Sequence, residues 1–487
     1  MSDLLKSNLL AAPAVKPLIN IGGTLDIPTG FYVKGIHGEM IILGGLGSIT
    51  GVTGIGNSFK STIMHYMMLA AADRIGSTSK ICVMDTYDTE MNIHQERLRD
   101  LTYSFDTFKE RDVLNDGTWT VTDKSLYLGN EWFEKKKEFL KEKRDNSRKL
   151  TFKTPFLDRD RKALEILIPT FSEVDSLSEF ETADVSKIME ENELGDTGGN
   201  TIYMRQGLAK NRLMMEMPTL AVAANNFTLI TAHLGKEINM ASGPYAPPPT
   251  KKLQHMSQGD KIKGVSDKFF FLTTNFWQTK SVSKLINQGT KGPEYPRDSN
   301  DVGNVDCDLN LVSMILLRGK AGPSGFILEL VISQDEGLLP SLTEFHLIKE
   351  NDRFGITGTL QHYALDIYPE CKLSRTTVRG KINNDVKLQR ALNITSELCQ
   401  VRQFHRSLNA PTALEVYNGV KANGYDWDFI LENTRGWWTV DNDSHPKLFL
   451  STMDLVNMAK PKDSPDFYHP YWMEEDCKTV KKGYPAL

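Results

Sequence analysis

Cysteine is scarce in this chain: five among 487 residues, at Cys82, Cys307, Cys371, Cys399 and Cys477, with no C-x-x-C pair. That scatter argues against a disulfide framework or a zinc module and fits a reducing compartment. Long apolar runs are missing too, and none approaches the length a membrane-spanning helix requires. The stretch Met1–Ser7 lacks a basic-then-apolar signal layout, so the expected location is the cytoplasm, with no membrane partner. Nor is there an excess of positive charge. At a net charge of −5, any contact with nucleic acid must come from local basic patches. Hydrophobic and charged contents of 40% and 24% are those of a globular protein. The length exceeds one ordinary core, and two or three domains are expected.

The stretch that organises the chain is Gly54-Ile55-Gly56-Asn57-Ser58-Phe59-Lys60-Ser61-Thr62, between an apolar run (38–50) and a helical pattern (63–72). Strand, glycine-rich loop ending in Lys-Ser, then helix is the layout of a phosphate cradle. Glycines turn backbone N–H groups onto phosphate oxygens, and the helix start adds donors and a positive dipole end. Lys60 would reach the β- and γ-phosphates and the Ser61 hydroxyl would ligate Mg²⁺. One position departs from G-x-x-x-x-G-K-[ST], because Phe59 stands where the second glycine belongs. The bland alternative is an ordinary glycine-rich turn.

Further along, a β-rich run (80–86) emerges into acids ending at Glu90, a candidate to orient and deprotonate an attacking water. A Glu at a strand end is also common as a mere surface charge. Residues 103–162 interrupt the α/β rhythm. Within them Trp132, Phe133, Phe139 and Leu140 share one helical face, so an amphipathic helix lying on the core is expected. Asp175, after Thr170–Val174, is the candidate magnesium-side acid, although Thr170 could instead close the Leu164–Pro169 run. Residues 178–212 are polar, then basic at Arg205, Lys210 and Arg212. A strand, Phe227–Leu234, carries His233 at its end, either as a satisfied polar residue or as a contact to the γ-phosphate. The following Gly235–Gly264 segment reads as a long loop with Lys236, Lys251, Lys252, Lys261 and Lys263, suited to single-stranded nucleic acid. Asp267–Leu272 and Leu311–Leu317 read as strands, with Phe326–Ile332 as hairpin partner of the second. Arg318 and Lys320, one residue apart, point the same way across the pleat and would act as fingers on a neighbour's γ-phosphate, or else mark an exposed hairpin tip. Beyond residue 356 helices and loops are expected, with Trp427, Trp437 and Trp438 forming a small core. The basic cluster Lys372–Lys381 is a weak candidate for a DNA-contacting helix.

The order of these parts resembles that of RecA-family recombinases, of the phage UvsX type. Ser58-Phe59-Lys60-Ser61 is similar to that family's phosphate loop, which tolerates Phe before the Lys. Tyr87–Glu90 with Leu98-Arg99 resembles the segment of its water-activating Glu, and Asp175-Ser176-Leu177 its magnesium-side acid. His233 matches the residue that couples nucleotide to a DNA-binding loop. Arg318 and Lys320, with Asp335–Gly337 after them, resemble the paired cations that reach the next subunit's ATP. Thr376-Thr377, Gly380 and Arg390–Leu392 resemble a C-terminal stretch of the same type.

The resemblance implies an α/β fold: a RecA-like P-loop ATPase core (39–355, insertion 103–162) of mostly parallel twisted sheet flanked by helices. It would be flanked by a short N-terminal arm (1–38), which either packs on its own core or docks on a neighbouring subunit in oligomerisation, and by a small helical C-terminal domain (356–487), a candidate DNA-binding accessory. It implies a DNA-dependent ATPase, using ATP and Mg²⁺, that polymerises on single-stranded DNA and exchanges strands with double-stranded DNA. A single-strand-binding protein and a loading mediator would be further partners. Two other readings stay open: a hexameric replicative helicase, disfavoured by the few residues before the phosphate loop, and a non-catalytic nucleotide-binding accessory filament protein.

Overall fold

The computed structural model describes residues 16–76, 83–191, 202–237, 251–298, 300–303, 307–359 and 361–485. Its centre is a ten-stranded sheet. The strands are β1 (Ile49–Gly54), β2 (Met84–Asp88), β3 (Trp119–Asp123), β4 (Thr170–Asp175) and β5 (Asn226–Lys236), then β6 (Asp260–Ile262), β7 (Asn275–Lys284), β8 (Leu309–Gly319), β9 (Ile327–Ser333) and β10 (Gly337–Leu338). They lie in the order β10-β9-β8-β7-β1-β5-β4-β2-β3, with β6 beside the end of β5. From β7 to β3 all neighbours are parallel; from β7 to β10 the sheet is an antiparallel meander.

Both faces are covered, as a parallel sheet requires. Successive strand residues therefore feed different cores: Leu229, Met314 and Leu316 pack with helix α1 (Lys60–Gly76), whereas Ile230, Ile315 and Leu317 pack with helices α2 (Gly129–Asp145) and α3 (Ile202–Ala224). Among the described residues no helix is long and apolar enough to cross a membrane.

Residues 103–162 are built into this layout. β3 extends the parallel sheet at its edge, and α2 buries Trp132, Phe133 and Leu140, with Phe139 half-buried. Trp132 stacks on Tyr87 with ring centroids 4.9 Å apart. The run before Asp175 divides in two: Ala163–Leu167 pairs with Thr151–Leu157 in a separate hairpin, and Thr170 begins β4. Asp267–Leu272 is not a strand. Lys268–Leu272 is a short helix, α4, whose adjacent Phe269 and Phe270 are both buried edge-on against Phe276. Consecutive phenylalanines show no period, and only burial of neighbours on one side reveals the helical turn.

Residues 16–38 pack on the chain's own core. The helix Gly23–Thr29 is wholly buried against the helix Val386–Phe404. The C-terminal segment shares one hydrophobic cluster with the meander and this N-terminal helix, joining Leu388, Leu392 and Trp427 to Leu309, Val331 and Ile27. The three tryptophans do not make one core. Trp438 packs edge-on against Phe156 and donates to the Leu18 carbonyl, while Trp437 lies between Arg74 and Arg435. The cluster Lys372–Lys381 is also not a free basic face: Arg379 is buried on Asp308 and Glu336, and Arg375 donates to the Pro293 carbonyl.

Candidate functional site

The parallel strands end along one edge, and the register brings the sequence candidates there together. Gly54 lies opposite His233, and Asp88 opposite Asp175. In open α/β sheets the crevice beyond the strand C-termini is where ligands sit.

The loop from Gly54 to Phe59 is tightly held. A Cβ on Gly54 would fall 1.9 Å from Thr279 Oγ1 and 2.5 Å from Ser58 Oγ, so this position takes no side chain. Thr279 donates to Ser58 Oγ at 2.8 Å, and Ser58 donates to the Ile55 carbonyl at 2.7 Å. Asn57 and Phe59 adopt left-handed backbone, φ 53° and 60°. At Phe59 that conformation costs about 1–3 kcal/mol, offset by packing of its ring on the core around α1. The missing glycine is thus replaced by a residue that keeps glycine's conformation.

Lys60, the first residue of α1, is buried and donates to the Ile55 carbonyl at 2.8 Å. Burial lowers its pKa below the usual lysine value, while Asp175 and Glu90 act in the opposite direction. Lys60, Glu90 and Asp175 therefore form one electrostatic group.

Glu90 is half-exposed and gripped by three groups: His233 Nε2 at 2.7 Å and Ser176 Oγ at 2.8 Å, both on Oε1, and Asn92 Nδ2 at 3.2 Å on Oε2. Burial opposes its ionisation, but these hydrogen bonds prevail and hold its carboxyl below the usual glutamate range. His233 thus contacts Glu90 directly. The backbone carrying Glu90 is fixed by Asp88, whose carboxylate accepts the N–H groups of Glu90, Met91, Asn92 and Ile93, each at 2.9 Å. These bonds keep 91–94 out of the helix, which begins at Gln95 rather than Met91. Thr89 ties the two strand ends together, donating N–H to the Asp175 carbonyl and its hydroxyl to the Ser176 carbonyl, both at 2.7 Å.

Asp175 is buried and receives the Thr231 hydroxyl on one oxygen. Among the described residues its other oxygen and the Ser61 hydroxyl have no hydrogen-bond partner, so the pair suits a cation held jointly with phosphates. Among the described residues no cluster of three His, Cys, Asp or Glu could hold a metal alone.

Behind this edge lies a buried polar network invisible to single-residue reading. His65 of α1 bonds Glu173 at 2.9 Å, Thr86 donates to the same carboxylate oxygen at 2.7 Å, and Trp119 donates to Thr86. Asn226 and Asp85 accept from Ser172. The polar character of β4 thus has a partner at each position, and Ser172 and Glu173, unexpected inside a strand, were the signal.

The cations occupy other places. Arg318 pairs in register with Phe276, which is level with Gly51 on β1, so it lies toward the start of β1, away from Gly54. Its guanidinium donates to the Phe270 carbonyl at 2.9 Å and lies over the Phe271 ring; Lys320 is exposed. Gly235–Gly264 is not all loop, because β6 returns antiparallel on the end of β5, with Lys261 opposite Gly235. Residues 238–250 lie outside the described ones. Lys251, Lys261, Lys263 and Arg205 are exposed; Lys236 pairs with Asp260 and Lys252 with Asp267. Lys210 does not fit a DNA contact. It is 2% exposed, its ammonium donates to the Ser178 carbonyl at 2.6 Å, and burial lowers its pKa to about 8.

A scan of family models finds no match to this chain, and a search of curated proteins finds none.

Proposed function

We propose that the chain is an ATP-dependent DNA recombinase of the RecA kind, hydrolysing ATP at the Lys60 loop and assembling head to tail on single-stranded DNA. One observation carries this reading. The Lys60 loop, Glu90 and Asp175 converge at one edge of the sheet, while Arg318 and Lys320 lie toward its opposite edge, a position suited to meeting a nucleotide held by another copy. Large exposed apolar side chains occur at both places: Ile55 and Met91 by the loop, Phe271 beside Arg318. Such exposure suits association.

In this reading Lys60 and the loop's N–H groups hold the triphosphate. Glu90, kept ionised by His233 and Ser176, orients a water for in-line attack on the γ-phosphate. Mg²⁺ on Ser61 and Asp175 would supply charge neutralisation. A neighbour's Arg318 and Lys320 would complete the site, which links nucleotide binding to assembly. His233 joins Glu90 to β5, and β5 runs directly into the Lys-bearing β5–β6 hairpin, a short path from nucleotide to strand.

The test is ATP turnover with and without single-stranded DNA. A steep rise is expected; equal rates would refute a DNA-assembled active form.

A further inference from the structure

A cleft of about 610 Å³ opens at the last turn of α1, the end remote from the phosphate loop, and the segment 434–447 lines its other side. Four cations line it: Arg74, Arg390, Arg435 and Lys447. Arg390 and Arg435 are 6% and 3% exposed, yet their guanidiniums donate only to neutral oxygens. Arg390 binds Thr434, Asn393 and the Leu450 carbonyl; Arg435 binds the carbonyls of Lys447, Trp437 and Asn442 and the Asn442 amide oxygen. Acidic groups act on them from further off, Glu397, Glu344 and Asp454 on Arg390 and Asp443 on Arg435, but none bonds them directly. A buried cation without a directly paired counter-charge is costly, and a structure that keeps two side by side invites an anion.

The remaining charges do not cancel this surplus. Arg74 is held by Asp26 at 3.4 Å, and Asp73, also in the wall, accepts the Thr107 N–H at 2.9 Å and is raised by burial above the usual aspartate value. Asp106 is paired with Lys109 and faces Lys447 as well, and burial pushes Glu344 up to about 8, leaving it neutral at pH 7. His445, also in the wall, is pushed down to about 3 by burial and by Arg435, so it adds no charge. The Lys447 ammonium stands half-exposed at the rim with no hydrogen bond among the described residues. The cleft is also shaped around its cations. Arg74 and Arg435 lie 5.2 and 4.8 Å from the Trp437 ring, and a Cβ on Gly436 would fall 2.6 Å from Arg390 Nη1. Glycine there leaves the edge of that guanidinium open.

We propose that this cleft is a second anion site, separate from the Lys60 loop, that takes a multiply charged phosphate compound of nucleotide size or smaller. Three guanidiniums and an ammonium together outweigh the ionised carboxylates of the wall, and that surplus matches the charge of a di- or polyphosphate. The site does not depend on what the Lys60 loop binds.

Inorganic pyrophosphate is the probe, titrated calorimetrically at low salt into the full chain carrying Lys60→Ala, so that the first loop does not contribute. One saturable site with a Kd below about 1 mM is expected. Adding Lys447→Glu, which removes no internal bond and should fold, is expected to weaken binding about tenfold or more; Gly436→Ala, which crowds Arg390, should weaken it as well. Bound pyrophosphate should also raise the melting midpoint. Absence of saturable binding up to about 10 mM, or equal affinity in both added variants, overturns the proposal.

Discussion

If Arg318 and Lys320 act on a neighbour's nucleotide, two inactive chains should repair each other. Arg318 is level with Gly51, three strand residues from Gly54, and β8 is two strands away from β1. At ~3.3 Å per residue and ~4.8 Å per strand the separation is about 14 Å, beyond one arginine side chain. Its own phosphate loop is therefore out of reach. Removing both cations (Arg318→Ala with Lys320→Ala) should lower DNA-stimulated turnover on the order of a thousandfold, the scale of an arginine finger supplied in trans. Lys60→Ala should abolish it for the separate reason that phosphate is no longer held. In a one-to-one mixture of the two chains, a head-to-tail contact takes its loop from one copy and its cations from the next. About a quarter of random contacts then join an intact loop to intact cations, and turnover should recover to about a quarter of the unmutated rate. The assay is steady-state phosphate release across mixing ratios, with single-stranded DNA in excess. A mixture no more active than its parts, or a double cation variant with full activity, refutes the trans arrangement.

Glu90→Gln should cut turnover on the order of a hundredfold or more while nucleotide affinity, measured by equilibrium titration, stays close to that of the unmutated chain. Lys261→Ala and Lys263→Ala should each reduce the salt dependence of single-strand binding by about one unit of log–log slope. Lys210→Ala should leave that slope unchanged and lower the melting midpoint instead, because its ammonium is spent on the Ser178 carbonyl. Burial raises Glu344 to about 8 and Asp454 and Glu39 to about 7, so the folded chain binds protons that unfolded carboxylates release near ~4. Their contribution to stability is complete below that value and is lost as pH rises toward 7–8, on the order of 1 kcal/mol per pH unit for each group. The melting midpoint should therefore be higher at pH 5.5 than at pH 8, and Glu344→Gln should flatten the trend.

Much of the edge was legible because its signals are local. A glycine-rich loop between an apolar strand and a helix fixes where Lys60 and Ser61 stand, and strand ends announce Glu90, Asp175 and His233. What escaped depended on partners distant in sequence. Lys210 looked like one of a basic series until the fold placed it against Ser178. Arg379 looked like a free cation until Asp308 and Glu336 met it. The Asp88 clamp needed the turn's geometry, and the helical Phe269–Phe270 turn needed knowledge of which side was buried. Trp427, Trp437 and Trp438 suggested a core of their own by proximity in sequence; Trp427 does stay among C-terminal residues, against Tyr417, but Trp437 meets Arg74 of α1 and Trp438 meets Phe156 of the 151–167 hairpin and Leu18 of the N-terminal segment.

The long strand Asn226–Lys236 outruns its neighbours. β4 leaves it at Ile230 and β1 at His233, so its last three residues are backed only by β6. Its first eight residues are anchored in the sheet and cannot slide, since a slip of one residue would turn every buried side chain outward. Whatever load reaches the overhang must bend it where the anchorage stops, at the histidine that grips Glu90, and the same hinge would carry a disturbance at Glu90 outward to the tip.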